Sequence, residues 1–77
     1  MAKYDKIFTN KALEKMTKLS LSESLVMDVF NTGETEASKI GGWNAIKKFS
    51  GREIGVYFIR DERGVYKIVS VWKRNRR

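Results

Sequence analysis

The stretch that most constrains the fold runs from Arg52 to Lys73. Arg52-Glu53-Ile54-Gly55-Val56-Tyr57-Phe58-Ile59-Arg60 and Val65-Tyr66-Lys67-Ile68-Val69-Ser70-Val71-Trp72-Lys73 are dense in branched and aromatic residues, and only Asp61-Glu62-Arg63-Gly64 separates them. Such side chains lose rotamer freedom in a helix but pack well on a pleated surface. A short polar connection ending in glycine then predicts an antiparallel hairpin, with Gly64 at the left-handed position. With Arg60 opposite Tyr66, alternation puts Ile54, Val56, Phe58, Ile68 and Trp72 on one face. Tyr57, Ile59, Lys67, Val69, Val71 and Lys73 take the other.

Upstream, Ile7-Phe8 form an apolar pair that tucks under the sheet or the first helix, and Thr9 or Asn10 can cap that helix. Ala12, Leu13, Met16 and Leu19 recur at three- and four-residue spacing, which predicts a short amphipathic helix with Lys11, Glu14, Lys15 and Lys18 in solvent. Ser20 and Ser22 compete to start a second helix. Ser22 is preferred because Leu21 and Val26 then make a hydrophobic staple. Leu25, Val26, Val29 and Phe30 form its apolar stripe, and Gly33 suits a left-handed cap. Glu34 to Ile40 reads as an edge strand or extended arm ended by Gly41-Gly42, and Trp43 to Phe49 reads as a strand turning at Ser50-Gly51. The expected fold is α+β, with two N-terminal helices packed on one face of a three- to four-stranded antiparallel meander. Ile46 is expected to join the helix-facing side, and Ala45, Lys47 and Phe49 the reverse side.

A chain of 77 residues has room for one modest core, so residues 1–77 are read as a single domain with a basic tail at 73–77. Cysteine and histidine are both absent. That removes disulfides, thiolate sites and the commonest metal ligand together with the usual general base near neutral pH. No cofactor or metal is expected. No apolar run approaches the roughly 20 residues of a spanning helix, and Met1 to Lys6 lack a signal-peptide core, so a cytoplasmic protein without a membrane partner is expected.

The net charge of +7 favours a polyanionic partner. The reverse sheet face interleaves Lys with Tyr and Phe, a combination suited to single-stranded RNA because cations meet phosphate while rings stack on bases. The candidate nucleic-acid-binding residues are Lys47, Tyr57, Lys67, Lys73, Arg74, Arg76 and Arg77. The same face can instead meet a second copy of the chain or another protein, which makes a non-catalytic interaction module the alternative reading. No phosphate loop or nucleophile elbow is present, and Asp61-Glu62 has the composition of a turn. The chemistry left open is metal-independent RNA cleavage, in which an internal 2′-hydroxyl attacks. Tyr57, Arg60 and Lys67 are the candidate catalytic groups, with Lys73 and Arg74 beside them.

Lys11-Ala12-Leu13-Glu14-Lys15-Met16, then Leu21-Ser22-Glu23, Val26, Val29-Phe30 and Gly33-Glu34, resembles the opening of the bacterial domain of unknown function 4258. That family's pattern is His-Ala-Leu-Glu-Arg-Met followed by Ile-Ser and a helix ending near Gly-Glu. Gly51-Arg52-Glu53 and Lys67 to Lys73 look like its strand pairs and those of BrnT-type and RelE-like ribonuclease toxins. The resemblance implies two helices on an antiparallel sheet, RNA binding or cleavage on the open face, and an antitoxin partner. The chain departs from it where Lys11 stands for the family's His, Lys15 for its nearby Arg and Leu19 for the next Arg, which weakens the implied activity more than the implied fold.

Overall fold

The computed structural model describes residues 6–75. The hairpin forms as expected and becomes the middle of a five-stranded sheet. The elements in order are β1 (Lys6–Phe8), α1 (Asn10–Leu19), α2 (Glu23–Thr32), β2 (Glu34–Ala37), β3 (Trp43–Phe49), β4 (Arg52–Arg60) and β5 (Tyr66–Asn75). Strands β2 to β5 are an antiparallel meander, and the spatial order is β1-β5-β4-β3-β2. Short β1 lies parallel to β5, so Ile7-Phe8 belong to a strand at the sheet's edge. Both helices lie on one face, α1 against β5 and α2 against β3 and β4. The chain is therefore α+β, as its pattern predicts. Among the described residues no helix is long and apolar enough to cross a membrane.

Side-chain caps define the helix starts. Thr9 accepts from the Ala12 N–H at 3.2 Å, and Ser22 accepts from the Leu25 N–H at 3.1 Å, each satisfying a donor that the first turn leaves without an intrahelical partner. The left-handed cap falls at Ser20, φ 57°, after α1. Gly33 is extended instead, at φ −73°; its lack of a side chain permits close approach to the carbonyls of Val29 and Ile46. In the helix layer Ala12, Met16, Leu21, Val26, Val29 and Phe30 are buried, and on the sheet Ala45, Ile54, Val56, Phe58, Ile68 and Val71 meet them. Leu13, assigned by spacing to the inner stripe, is exposed.

At the hairpin turn, Asp61 accepts from the Arg63 and Val65 N–H groups, both at 2.9 Å, and Gly64 takes φ 85°. Arg60 pairs with Tyr66, Ile59 with Lys67 and Phe58 with Ile68, as alternation requires. The next pair is Tyr57 with Ser70, which leaves Val69 as an extra residue in a β-bulge. One added residue exchanges the faces of everything beyond it. Val71, expected outside, is buried in the core, while Trp72, expected in the core, lies on the open face opposite Gly55. Ile46 also pairs with Gly55 and so faces outward, whereas Ala45, Lys47 and Phe49 share the helix side with Val56, Ile54 and Arg52.

The bulge is tied to the first helix. The Thr9 hydroxyl shares its donation between the Ile68 carbonyl at 2.9 Å and the Val69 carbonyl at 3.1 Å, and the Thr9 N–H also donates to Ile68. One residue therefore caps α1 and holds the irregular strand. Thr9→Ala should destabilise the domain by roughly 1–2 kcal/mol in urea unfolding, the upper part of the range for an N-cap; an unchanged midpoint would show that the bulge does not depend on this hydroxyl.

Hydrogen bonding from the Val65 N–H is the main influence holding the Asp61 carboxyl below its usual value, with the Arg63 N–H and the charges of Lys67 and Arg63 adding to it against desolvation. A depressed folded-state value contributes stability above the unfolded-state value of about 4, and that contribution is lost as pH falls through the folded one. Melting temperatures of wild type and Asp61→Asn, measured from pH 6 to pH 3, should converge at the acid end. A gap that stays constant would remove the carboxylate from the explanation.

Candidate nucleic-acid interface

Two cross-strand rows build the exposed chemistry of the open face. Lys48, Glu53 and Arg74 face one another across β3, β4 and β5, and the next row runs Glu34, Ile46, Gly55 and Trp72 across four strands. The indole of Trp72 lies flat on Gly55, where any β-carbon would fall inside its van der Waals envelope. A glycine within a strand thus seats an aromatic ring of its neighbour. The Arg74 guanidinium is 5.3 Å from the Trp72 ring centroid and 3.6 Å from the Glu53 carboxylate. Glu53 is 5% exposed, the only charged side chain buried among the described residues.

These rows enclose a groove of about 500 Å³. Glu34 and Glu36 of β2 form one wall, Trp72 and Arg74 of β5 the other, with Ile46, Lys48 and Glu53 between them. It is acidic at the β2 edge and aromatic and basic at β5.

The helix side of the same sheet end carries further cations. Lys47, Ile54 and Lys73 form one row, and Phe49, Arg52 and Asn75 the next. The Arg52 guanidinium stands 5.5 Å from the Phe49 ring centroid. Lys73 lines a shallow depression together with Lys18, Leu19 and Ser20 at the end of α1. Lys48 and Arg74 on one face and Arg52, Lys73 and Lys18 on the other therefore surround the end of the sheet where β3 and β5 finish and β4 begins.

The residues expected to bind nucleic acid do not all meet there. Lys73 and Arg74 do, on opposite faces. Lys47 does not present its charge outward: its ammonium donates to Asp28 at 2.6 Å and to the Thr32 hydroxyl at 3.0 Å, linking β3 to α2. Lys67 is on the open face but at the opposite end of β5, about 20 Å away at strand spacing. Tyr57 is on the open face as well, and its hydroxyl donates to the Gly41 carbonyl at 2.6 Å. Gly42 packs against Tyr57 and Ile59, so the loop between β2 and β3 covers that part of the face. Arg76 and Arg77 lie outside the described residues.

The candidate catalytic groups are likewise separated. Arg60 pairs with Tyr66 on the helix side, its guanidinium 5.8 Å from the Tyr66 ring centroid, whereas Tyr57 and Lys67 occupy the reverse face. No group of three or more His, Cys, Asp or Glu side chains among the described residues is arranged to hold a metal ion.

Trp72, Lys48, Arg52 and Lys18 are the site residues that sequence reasoning missed. Gly55 was the available signal for Trp72, because a strand-interior glycine marks a bulge or close approach. Lys47 and Lys48 are adjacent, and which of them faces outward depends on a strand phase that the hairpin alone does not set.

No known protein family, curated protein or solved structure matches the chain.

Because Lys47 is engaged by Asp28 while both partners remain partly exposed, Lys47→Ala should cost no more than about 1 kcal/mol in urea unfolding. The same variant should leave affinity for single-stranded RNA within about twofold, since a single phosphate contact elsewhere would cost more at low salt. A large loss of RNA affinity would show that Lys47 leaves Asp28 to meet phosphate.

Proposed function

We propose that this domain binds single-stranded RNA at the basic end of its sheet, without cleaving it. The observation that carries the reading is Trp72, held on Gly55 with Arg74 over it and Lys48 on the same face, while Arg52 and Lys73 stand on the reverse face of the same sheet end. Stacking on an aromatic face is available to every base, and the surrounding cations track the phosphates. Glu34 and Glu36 repel a phosphate backbone from the β2 edge, which favours a path along β5 and around the sheet end. The RelE-like resemblance agrees with an RNA partner. Cleavage is not favoured, because Tyr57 and Lys67 face away from Arg60 and the Tyr57 hydroxyl is engaged by the loop.

Fluorescence anisotropy with a labelled single-stranded RNA, read from 50 to 200 mM salt, tests this. Neutralising about four phosphates predicts a log–log slope near −3, and replacing both Lys48 and Arg74 by Gln should make it shallower by about 1.4. Trp72→Leu should weaken binding by roughly 5- to 100-fold with the slope unchanged, as loss of one stacked base requires. Affinity that does not fall with salt would overturn the reading. RNA shortened on incubation with pure protein would overturn its non-catalytic part.

A further inference from the structure

We infer that the outer edge of β5, from Val71 to Asn75, takes up an acidic segment of another protein as an added strand. The phase of the backbone shows which groups that edge presents. The Asp61 N–H donates at 3.0 Å to the Val65 carbonyl directly opposite, so alternation turns the backbone groups of Ile59, Tyr57, Gly55 and Glu53 toward β5. Beyond the bulge their partners are Ser70, Trp72 and Arg74. Val71, Lys73 and Asn75 therefore point N–H and C=O away from the sheet. The hydrogen bond from Ser38 to Gly42, between β2 and β3, sets the same phase from the other side.

On the first half of β5 the outward groups have partners. β1 pairs with Tyr66 to Ile68, and the Thr9 N–H donates to the Ile68 carbonyl. The chain then leaves the edge as α1. Beyond Val69, whose carbonyl accepts from the Thr9 hydroxyl, no group among the described residues pairs with the outer edge. Three alternate residues over roughly 13 Å offer donor–acceptor pairs to a strand of about five residues. A phosphate backbone would accept from the N–H groups and repel the carbonyls, so the complete ladder belongs to a peptide.

The side chains around the edge select the kind of peptide. Lys73 and Asn75 line a shallow depression with Lys18, Leu19 and Ser20, where alternate side chains of an added strand would lie. Lys18 and Lys73 are exposed and meet no carboxylate among the described residues. Glutamate or aspartate on the added strand complements them. The same lysines act against a second copy of the chain, because two β5 edges side by side would set like charges together. This site shares Lys73 with the RNA reading and does not depend on it.

The test follows backbone amide exchange in the isotope-labelled full chain with three synthetic octapeptides. One alternates Glu and Thr, the second has Lys for Glu, and the third is the Glu–Thr peptide with its backbone nitrogens methylated. At saturation the first should slow exchange at Val71, Lys73 and Asn75 by about tenfold or more, while Ser70, Trp72 and Arg74, already paired with β4, change little. The other two should slow none of them. Lys18→Glu combined with Lys73→Glu should transfer the response to the Lys–Thr peptide. No slowing with any peptide would overturn the inference, as would an equal response to the methylated or the Lys–Thr peptide, or an unchanged preference in the double variant. The same alternating protection produced by single-stranded RNA, or by concentrating the protein alone, would also overturn it and assign the edge to nucleic acid or to a second copy.

Discussion

The bulge at Val69 is the constraint on which the rest of the molecule depends. Before it, β5 keeps the phase set by the turn, so that Tyr66 and Ile68 face the helices. Beyond it the phase reverses, sending Val71 into the core and Trp72 outward. A regular ladder would bury the indole beneath α1 and expose a valine, altering both the core volume and the open face. Thr9 stands at the joint: its hydroxyl reaches the carbonyls of Ile68 and Val69 and also caps α1. The start of the helix layer and the irregularity of the sheet are therefore fixed by the same side chain, which makes the position of α1 on β5 and the orientation of Trp72 one structural decision.

The +7 charge acquires meaning only once it is distributed. Asp28 takes Lys47 into the contact between α2 and β3, and Arg60 is drawn over Tyr66 at the far end of the hairpin. On the open face three carboxylates, Glu34, Glu36 and Glu53, offset Lys48 and Arg74 within the groove. A net positive number would suggest a uniformly attractive surface; the sheet carries a directional one instead, acidic at β2 and basic where β5 ends. Charge arranged this way sets direction and register more than overall attraction.

What was legible in the sequence is what local rules govern. Thr9 and Ser22 announce helix starts, the Asp61–Gly64 segment announces its turn, and alternation correctly orders residues from Phe58 to Ile68. What was not legible depends on distant partners. Nothing near Val69 signals a bulge, since it is stabilised by Thr9, about sixty residues earlier, and no local signal pairs β1 in parallel with β5. The site suffered more than the fold from these gaps. A one-residue change of phase leaves strands and helices in place but exchanges which side chains meet solvent: beyond the bulge Trp72 is expected inside and Val71 outside, and in β3, whose phase the hairpin does not set, Lys47 is expected on the open face and Ile46 on the helix side.

The pairing of Trp72 with Gly55 gives the open face its specific character. A tryptophan on the solvent side of a sheet would ordinarily stand upright and sample several rotamers, and ordering it on binding would cost affinity. Resting on a glycine, the ring is pressed against backbone and held, with the Arg74 guanidinium 5.3 Å from its centroid. Its supports are β4 and β5, the central hairpin whose inner face carries Ile54, Val56, Ile68 and Val71, all fully buried. Sites built on strands are more rigid than sites built on loops, and rigidity reduces the entropy that a ligand must overcome. The two faces of the hairpin are therefore coupled: the apolar residues that hold the helices also immobilise the backbone beneath the indole.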